Sequence, residues 1–332
     1  MPFPTTRRPI GRMVPWIITL PNDLYPFGRV VAFRNHGGSA EQWIKEGKNV
    51  SEWPRLSRRE FHSTLDNEQR RSYPVMTNST KRIGLVGCGV IGGRIAERAI
   101  ERGFAKIDFV CDMDLEKARE AAPGAEVFPN LSDVAARQVD LVVEAANADV
   151  MREIAIDVLG ERDFMPFTMT ALADDDFREA VRVQCRKAGT RLFIPHGGVL
   201  GLDGIYDGRT VIEELTIKTT KHPRNLGLDE STSGVIYDGP TRGACARFPR
   251  NVNIHAAYAL MGLGFDRTHS TVISDPETKQ MRHDIVVKGP GLEWNFMISS
   301  TPVGEVTGNY TPESAASTVG RVIGADYDIV MA

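Results

Sequence analysis

Three glycines in the spacing G-x-G-x-x-G follow an apolar, strand-like run at residues 82–86 and precede a helical pattern at residues 94–102. In such a turn the first glycine permits a sharp bend, the second lets a phosphate approach the backbone, and the third lets helix and strand pack closely. Free N–H groups at the helix start favour an anion. The pattern predicts a site for the pyrophosphate of a dinucleotide at Gly87, Gly89, Val90, Ile91 and Gly92. A glycine-rich turn without a ligand is the alternative.

A carboxylate stands where the ribose of such a dinucleotide would lie. The next predicted strand, residues 107–111, ends at Asp112. An acidic residue at this position can hydrogen-bond the two ribose hydroxyls, and this favours NAD, with NADP left open. Glu144 falls at the carboxyl end of the buried run 139–146, the end at which open α/β sheets bind ligands. Glu144 either lines a nicotinamide pocket or caps the following helix.

Among the histidines, His283 has the most suggestive context. In a strand it shares one side with Ile285 and Val287, so we expect it on the covered face of a sheet. It is then either a general acid/base near neutral pH or a buried imidazole without a task. His255 and His269 are interpreted as packed or surface residues.

Asn253 opens a predicted helix, so its side chain either caps that helix or binds a nicotinamide amide or a substrate. Cations that suit an anionic substrate cluster nearby in the sequence, although most surface arginines bind nothing. They are Lys221, His222, Arg242, Arg247 and Arg250.

Length, charge and cysteine content limit the number of domains and the classes of partner. The 332 residues allow two domains, and 40 basic against 43 acidic residues give a net charge of −3, so no nucleic-acid partner is expected. Four scattered cysteines favour a reduced, cytoplasmic compartment. We expect no membrane span, no signal peptide and no metal site, since apolar runs are short and no ligand spacing is present.

The order of elements predicts an α/β fold, with a Rossmann doubly wound parallel sheet and an α+β substrate domain whose sheet is mostly antiparallel. Residues 1–80 read as an irregular extension, for which a non-native segment, a docking or transit segment and a small domain all stay open. Residues 81–200 form the dinucleotide domain, 201–310 the substrate domain, and 311–332 a helix returning to the first. Predicted elements include helices at 115–122, 131–137, 151–159, 175–188, 251–262 and 313–323 and strands at 126–128, 164–168, 191–195, 214–220, 271–274, 283–288 and 292–299.

Several motifs occur in an order that resembles the L-aspartate dehydrogenase family over residues 81–332. They are I-P-H-G-G-V-L-G-L-D at 194–203, F-P-R-N-V-N at 248–253, G-L-G-F-D-R-T at 262–268, Asp275-Pro276 and His283. The resemblance implies oxidation of L-aspartate by NAD or NADP to iminoaspartate, which feeds nicotinamide nucleotide synthesis. We also expect a homodimer or homotetramer.

The resemblance assigns roles to particular residues. The family's active-site histidine falls on His283, its cofactor-contacting asparagine on Asn253, and its cofactor-contacting alanine on Gly198. Lys221 and Arg242 are the predicted partners of the two substrate carboxylates, since arginine suits bidentate pairing. Two rival functions stay open at this point. One is an imine or carbonyl reductase with another anionic substrate, and the other is a nucleotide-binding sensor without turnover.

Overall fold

The computed structural model describes residues 80–303 and 307–324, which belong to one compact unit. The interpretations of residues 1–79, and the last part of the predicted 311–332 segment, lie outside the described residues. The boundaries at residues 200 and 310 stay predictions. None of the helices in the described ranges is long and apolar enough to cross a membrane.

A parallel sheet opens the fold. Its strands are β1 (Arg82–Val86), β2 (Lys106–Cys111), β3 (Glu126–Phe128), β4 (Leu141–Glu144) and β5 (Asp163–Pro166). Their spatial order is β3-β2-β1-β4-β5, so the sequence order reverses at β1, which pairs with both β2 and β4. This topology confirms the predicted doubly wound sheet. Ligands of such sheets bind at the reversal, beyond the carboxyl ends of the strands.

Four helices cover this sheet: α1 (Val90–Arg102), α2 (Leu115–Ala121), α3 (Ala148–Leu159) and α4 (Asp175–Ala188). Local signals set their ends. The side chain of Asn147 accepts hydrogen bonds from the N–H groups of Asp149 and Val150, so α3 begins before the predicted residue 151. Asp174 caps α4 in the same way, and Gly189 ends it in the left-handed conformation.

Two predicted elements of this half are wrong. The helix expected at 131–137 is a 3₁₀ turn at Leu131–Asp133, because so short a segment does not offset the cost of helix nucleation. The strand expected at 191–195 is a single bridge between Phe164 and Leu192. The parallel ladder stops there because its next donor would come from Pro166, which has no N–H group.

The second sheet is mixed and mostly antiparallel, as predicted. Its strands are β6 (Glu214–Lys221), β7 (Gly234–Pro240), β8 (His269–Ser274), β9 (Met281–Gly289) and β10 (Leu292–Ser300). Their order is β10-β9-β6-β8-β7, and β6 with β8 is the parallel pair. The sequence analysis did not predict β7, whose glycines and Pro240 weaken the strand pattern.

Short helices surround this sheet: α5 (Leu202–Gly208), α6 (Pro223–Leu226), α7 (Thr241–Arg247) and α8 (Asn253–Met261). Strand β6 alternates so that Leu215, Ile217, Thr219 and Lys221 are buried while Lys218 is exposed. Helix α8 covers the buried face with a fully enclosed Tyr258. Two polar residues therefore continue an apolar stripe on the core side of β6.

The chain then returns to the first sheet. After a small pair, β11 (Pro302–Val303) with β12 (Thr307–Gly308), comes helix α9 (Tyr310–Val322). Helix α9 packs on α1, where Ala315 and Val319 share a buried cluster with Ile95. Arg98 of α1 donates to the Glu313 carboxylate of α9 at 3.1 and 2.9 Å.

The close packing of α1 on its own turn gives a stability prediction. A methyl group at Gly92 would overlap the carbonyl oxygen of Gly87, whereas one at Gly93 would meet the Cys88 oxygen at an ordinary 3.8 Å. We expect Gly92→Ala to lower the free energy of unfolding by about 1–3 kcal/mol. The control Gly93→Ala should leave it unchanged or raise it slightly, because alanine favours helix. Chemical denaturation measures both, and equal effects of the two variants would contradict the packing described.

Candidate active site

The glycine turn forms an open cradle at the start of α1. Gly87 has a φ of +91°, and a side chain there would meet the backbone of Ala145 at 2.9 Å. At Gly89 no heavy atom lies within 4 Å of the place a Cβ would take. Helix α1 begins there without a side-chain cap, so its first N–H groups, including those of Val90 and Ile91, have no intrahelical partner. The cradle therefore fits the pyrophosphate of a dinucleotide.

Asp112 lies against this turn. One oxygen of its carboxylate accepts the Cys88 N–H at 2.5 Å and the other accepts the Asp114 N–H at 2.9 Å. These bonds fix the carboxylate beside the glycines while leaving it further lone pairs for a ligand hydroxyl. The geometry fits the ribose position.

Glu144 is fully buried at the carboxyl end of β4. Its Oε1 accepts the Ala146 N–H at 2.7 Å and the Thr168 hydroxyl at 3.0 Å, whereas its Oε2 has no partner. Burial raises the pKa of Glu144 to about 7. Because Asn147 caps α3, the capping alternative for Glu144 is wrong. What remains is a buried carboxyl with an unpaired oxygen at the ligand-binding edge of the sheet.

Asn253 joins the second half of the chain to the first. It is the first residue of α8, and its Oδ1 accepts the N–H groups of Met169 and Thr170 at 3.0 and 3.3 Å. Those two residues belong to the 3₁₀ turn Met169–Ala173, which follows β5. Asn253 does not cap its own helix, and with Oδ1 used twice its NH₂ group is what it can offer a ligand.

Gly198 lies between α8 and α9. A Cβ there would approach the Thr311 hydroxyl at 2.8 Å and Ile254 at 3.4 Å. The alanine expected from the resemblance would therefore displace Thr311, and glycine relieves this contact.

His283 lies on the buried face of β9 and is 4% exposed. Its Nδ1 is 2.7 Å from the Thr219 hydroxyl, on the adjacent strand β6. Burial lowers the pKa of His283 well below its ordinary value, and the charge of Lys221 adds to this effect. The imidazole is therefore neutral at pH 7 and able to accept a proton.

Lys221 ends the same buried stripe of β6 and is 3% exposed. Its Nζ donates to the carbonyl oxygen of Asn251 at 3.2 Å. Burial lowers the pKa of Lys221 to about 8. No carboxylate among the described residues forms an ion pair with it, so it can take an anionic ligand.

The structure gives Arg242 protein partners in place of the predicted substrate carboxylate. Its guanidinium forms ion pairs with Asp175 at 3.1 Å and with Asp266 at 2.6 Å, and it also donates to the Ala173 carbonyl. These bonds tie α7 to the start of α4. Arg242 therefore holds the two halves of the chain together, and its charge is already paired with two carboxylates.

A group of buried polar side chains escaped the sequence analysis. His255 is fully buried, and its ring nitrogens contact the hydroxyls of Thr219 and Ser270 at 2.6 and 2.8 Å. Thr219 could have been found by alternation, because it lies on the same side of β6 as Lys221. The sequence analysis left His255 as either packed or surface, because α8 gives no clear helical period by which to choose.

Comparison with known proteins agrees with this architecture. A family model described as aspartate dehydrogenase, C-terminal, matches residues 205–322, and one described as homoserine dehydrogenase, NAD binding domain, matches residues 87–195. The chain is 32% identical over 266 residues to an L-aspartate dehydrogenase of Methanosarcina acetivorans, which covers 73% of this chain and 97% of the relative. It is 34% identical over 242 residues to an L-aspartate dehydrogenase of Methanocella arvoryzae, covering 67% and 88%.

Among solved structures, the aspartate dehydrogenase of Thermotoga maritima aligns with a TM-score of 0.62 at 23% identity, covering 76% of this chain and 99% of that one. This likeness shows a shared fold. The glycine cradle on a doubly wound sheet and the family matches define an NAD(P)-dependent dehydrogenase. Within that class, the chain belongs to the L-aspartate dehydrogenase family.

The raised pKa of Glu144 predicts a pH-dependent stability. The folded state keeps this carboxyl protonated up to about pH 7, whereas in the unfolded chain it ionises near the ordinary glutamate pKa of 4.5, so stability falls as pH rises through this window. Glu144→Gln should remove that fall, and its gain over the parent between about pH 5 and pH 8 should be on the order of 3 kcal/mol. Denaturation at both pH values measures it. The exposed control Glu153→Gln should track the parent, and a Glu144→Gln profile parallel to the parent would disprove the shift.

Proposed function

We propose that the protein oxidises L-aspartate to iminoaspartate, which water hydrolyses to oxaloacetate and ammonia, with NAD as the preferred cofactor. The observation that carries the proposal is the pair His283 and Lys221, a neutral base and a buried cation on one face of the second sheet. Helix α8 covers that face, and through Asn253 it contacts the ligand-binding edge of the first sheet. A base, a cation and a nucleotide cradle are what oxidation of an anionic amino acid requires.

Residues of the first sheet hold the cofactor in this proposal. The N–H groups at the start of α1 and the cradle of Gly87, Gly89 and Gly92 take the pyrophosphate. Asp112 accepts from the ribose hydroxyls, and its charge opposes the 2′-phosphate of NADP, which supports a preference for NAD. When bound, the nicotinamide supplies the acceptor for the hydride that leaves Cα. The groups proposed to surround the nicotinamide are Glu144, Gly198 and Asn253.

His283 accepts the proton of the substrate ammonium in this proposal. Only the free amine of the substrate carries the lone pair that pushes the hydride from Cα, so the ammonium must first lose a proton. A neutral, buried imidazole accepts it directly or through one water. The Lys221 ammonium pairs with a substrate carboxylate and thereby sets the orientation of Cα. Because Arg242 is committed to Asp175 and Asp266, it has no role in substrate binding in this proposal.

Replacement of His283 tests the proposal. We expect His283→Ala to lower kcat with L-aspartate and NAD by about 10²- to 10⁴-fold, the usual contribution of a general base. The matched control is His269→Ala, since His269 is partly exposed and pairs with Asp238. A panel of amino acids and oxo acids with NAD and NADP, run on the parent, identifies the substrate. The proposal fails if another panel member is strongly preferred or if His283→Ala keeps parental turnover.

Replacement of Lys221 tests the substrate cation. We expect Lys221→Met to raise KM for L-aspartate by about 10- to 100-fold, as loss of a charged hydrogen bond does. In the parent, KM should rise above about pH 8 as Lys221 loses its charge, and this limb should be missing from the Lys221→Met profile. Lys218→Met, on the exposed side of the same strand, is the control. Unchanged KM in Lys221→Met would rule out the assigned contact.

A further inference from the structure

A continuous row of buried hydrogen bonds runs from His283 into the second sheet. We call it the hydroxyl–imidazole chain, and each contact in it is 2.6–3.0 Å long. Its members are 4% exposed or less, so water does not supply alternative partners. In order, they are His283, Thr219, His255, Ser270, Thr241 and the carbonyl oxygen of Thr268.

The far end of the chain fixes its direction. A carbonyl oxygen only accepts, so the Thr241 hydroxyl donates to the Thr268 carbonyl at 3.0 Å. Thr241 has then spent its one proton, and the Ser270 hydroxyl must donate to it across 2.7 Å. Ser270 in turn accepts, so Nδ1 of His255 carries a proton and donates to it across 2.8 Å.

The same assignment of protons extends from His255 to His283. Burial lowers the pKa of His255 to about 3, so this imidazole is neutral. With its one ring proton on Nδ1, His255 has a bare Nε2, which accepts from the Thr219 hydroxyl across 2.6 Å. Thr219 must then accept from Nδ1 of His283 across 2.7 Å. The five contacts require five protons, and the five side chains supply one each. Every contact is satisfied in this one arrangement.

We propose that the hydroxyl–imidazole chain holds His283 in the tautomer with its proton on Nδ1, so that Nε2 is the atom that takes the substrate proton. The proposal rests on the proposed function only in naming that proton. Thr219, His255, Ser270 and Thr241 are positioning residues, since they act through His283. No hydrogen bond of the hydroxyl–imidazole chain has to rearrange when Nε2 of His283 is protonated, because Nδ1 of His283 keeps donating to Thr219.

The hydroxyl–imidazole chain also limits where the proton taken from the substrate can go. It ends on a peptide carbonyl, which is a poor proton acceptor, so the proton taken at Nε2 cannot leave by that route. Two charged or titratable groups face His283, Lys221 from β6 and His255 from α8. His255 is neutral in this arrangement, whereas the Lys221 ammonium opposes a positive charge on His283 and so favours release of the proton from Nε2 once product forms.

Spectroscopy tests the tautomer without reference to activity. The full-length protein is labelled with ¹⁵N-histidine, and long-range ¹H–¹⁵N spectra distinguish a protonated from a bare ring nitrogen. We expect His283, assigned by the signals lost in His283→Ala, to show a protonated Nδ1 and a bare Nε2 at neutral pH. A protonated Nε2 would overturn the proposal, even if the protein oxidises L-aspartate as proposed.

Ser270→Ala tests the chain at a distance from His283. Without the Ser270 acceptor, His255 can move its proton to Nε2 and donate to Thr219, which then donates to His283 Nδ1 and leaves the proton on Nε2. Loss of a group that fixes a catalytic imidazole costs about 10- to 10⁴-fold. We expect the loss of kcat to lie at the lower end of this range. KM for L-aspartate and NADH binding should stay unchanged, and the spectra should show the proton of His283 on Nε2.

Conservative variants separate positioning from packing. Ser270→Thr and Thr219→Ser keep the hydroxyls and should retain kcat within about threefold. Thr219→Val removes a hydroxyl and should lower kcat as Ser270→Ala does. Parental kcat and parental His283 signals in Ser270→Ala would refute the inference. If no variant or parent turns over L-aspartate, the proposed function fails, and the spectra of parent and Ser270→Ala still decide the tautomer.

Discussion

The hydrogen bonds from the backbone of Met169 and Thr170 to Asn253 are the constraint on which the rest of the site depends. They fix the start of α8 against the turn that follows β5, at the carboxyl edge of the first sheet. Two residues later on the same helix, His255 enters the hydroxyl–imidazole chain of the second sheet. At about 100° per residue these two side chains point to different sides of the helix. One short helix therefore sets the distance between the nucleotide cradle and His283.

Burial gives the site its electrostatic character. It raises the pKa of Glu144 to about 7 and lowers that of Lys221 to about 8, and His283 is held neutral beside Lys221. Without a ligand, each group resists its charged form. An anionic substrate changes this balance, because a carboxylate near Lys221 compensates its charge and weakens the repulsion that His283 feels on taking a proton. On the proposed function, substrate binding itself makes His283 a better base.

The sequence predicted those parts of the fold that depend on neighbouring residues. The glycine cradle is local, so its spacing alone indicated where α1 and β1 meet. Alternation placed His283 on a covered face, because every second residue of β9 is apolar. Arg242 could not be judged in this way, since Asp175 and Asp266 lie 67 and 24 residues away. Asp175 becomes its partner only when α7 meets α4, and Asp266 only when α7 meets the turn before β8. The end of the ladder at Pro166 was missed for a similar reason, because the missing donor and its acceptor lie on different segments.

Register explains why the hydroxyl–imidazole chain was beyond sequence analysis. Alternation fixes the face of a strand but not which residues stand opposite each other. In the structure His283 faces Thr219 directly across the β6–β9 pair. A slip of one residue would move His283 to the exposed face, and a slip of two would keep it buried but set it opposite Ile217 or Lys221. Either error would leave Nδ1 without its hydroxyl. The chemistry assigned to Nε2 is therefore a property of strand register, which the surrounding apolar packing fixes.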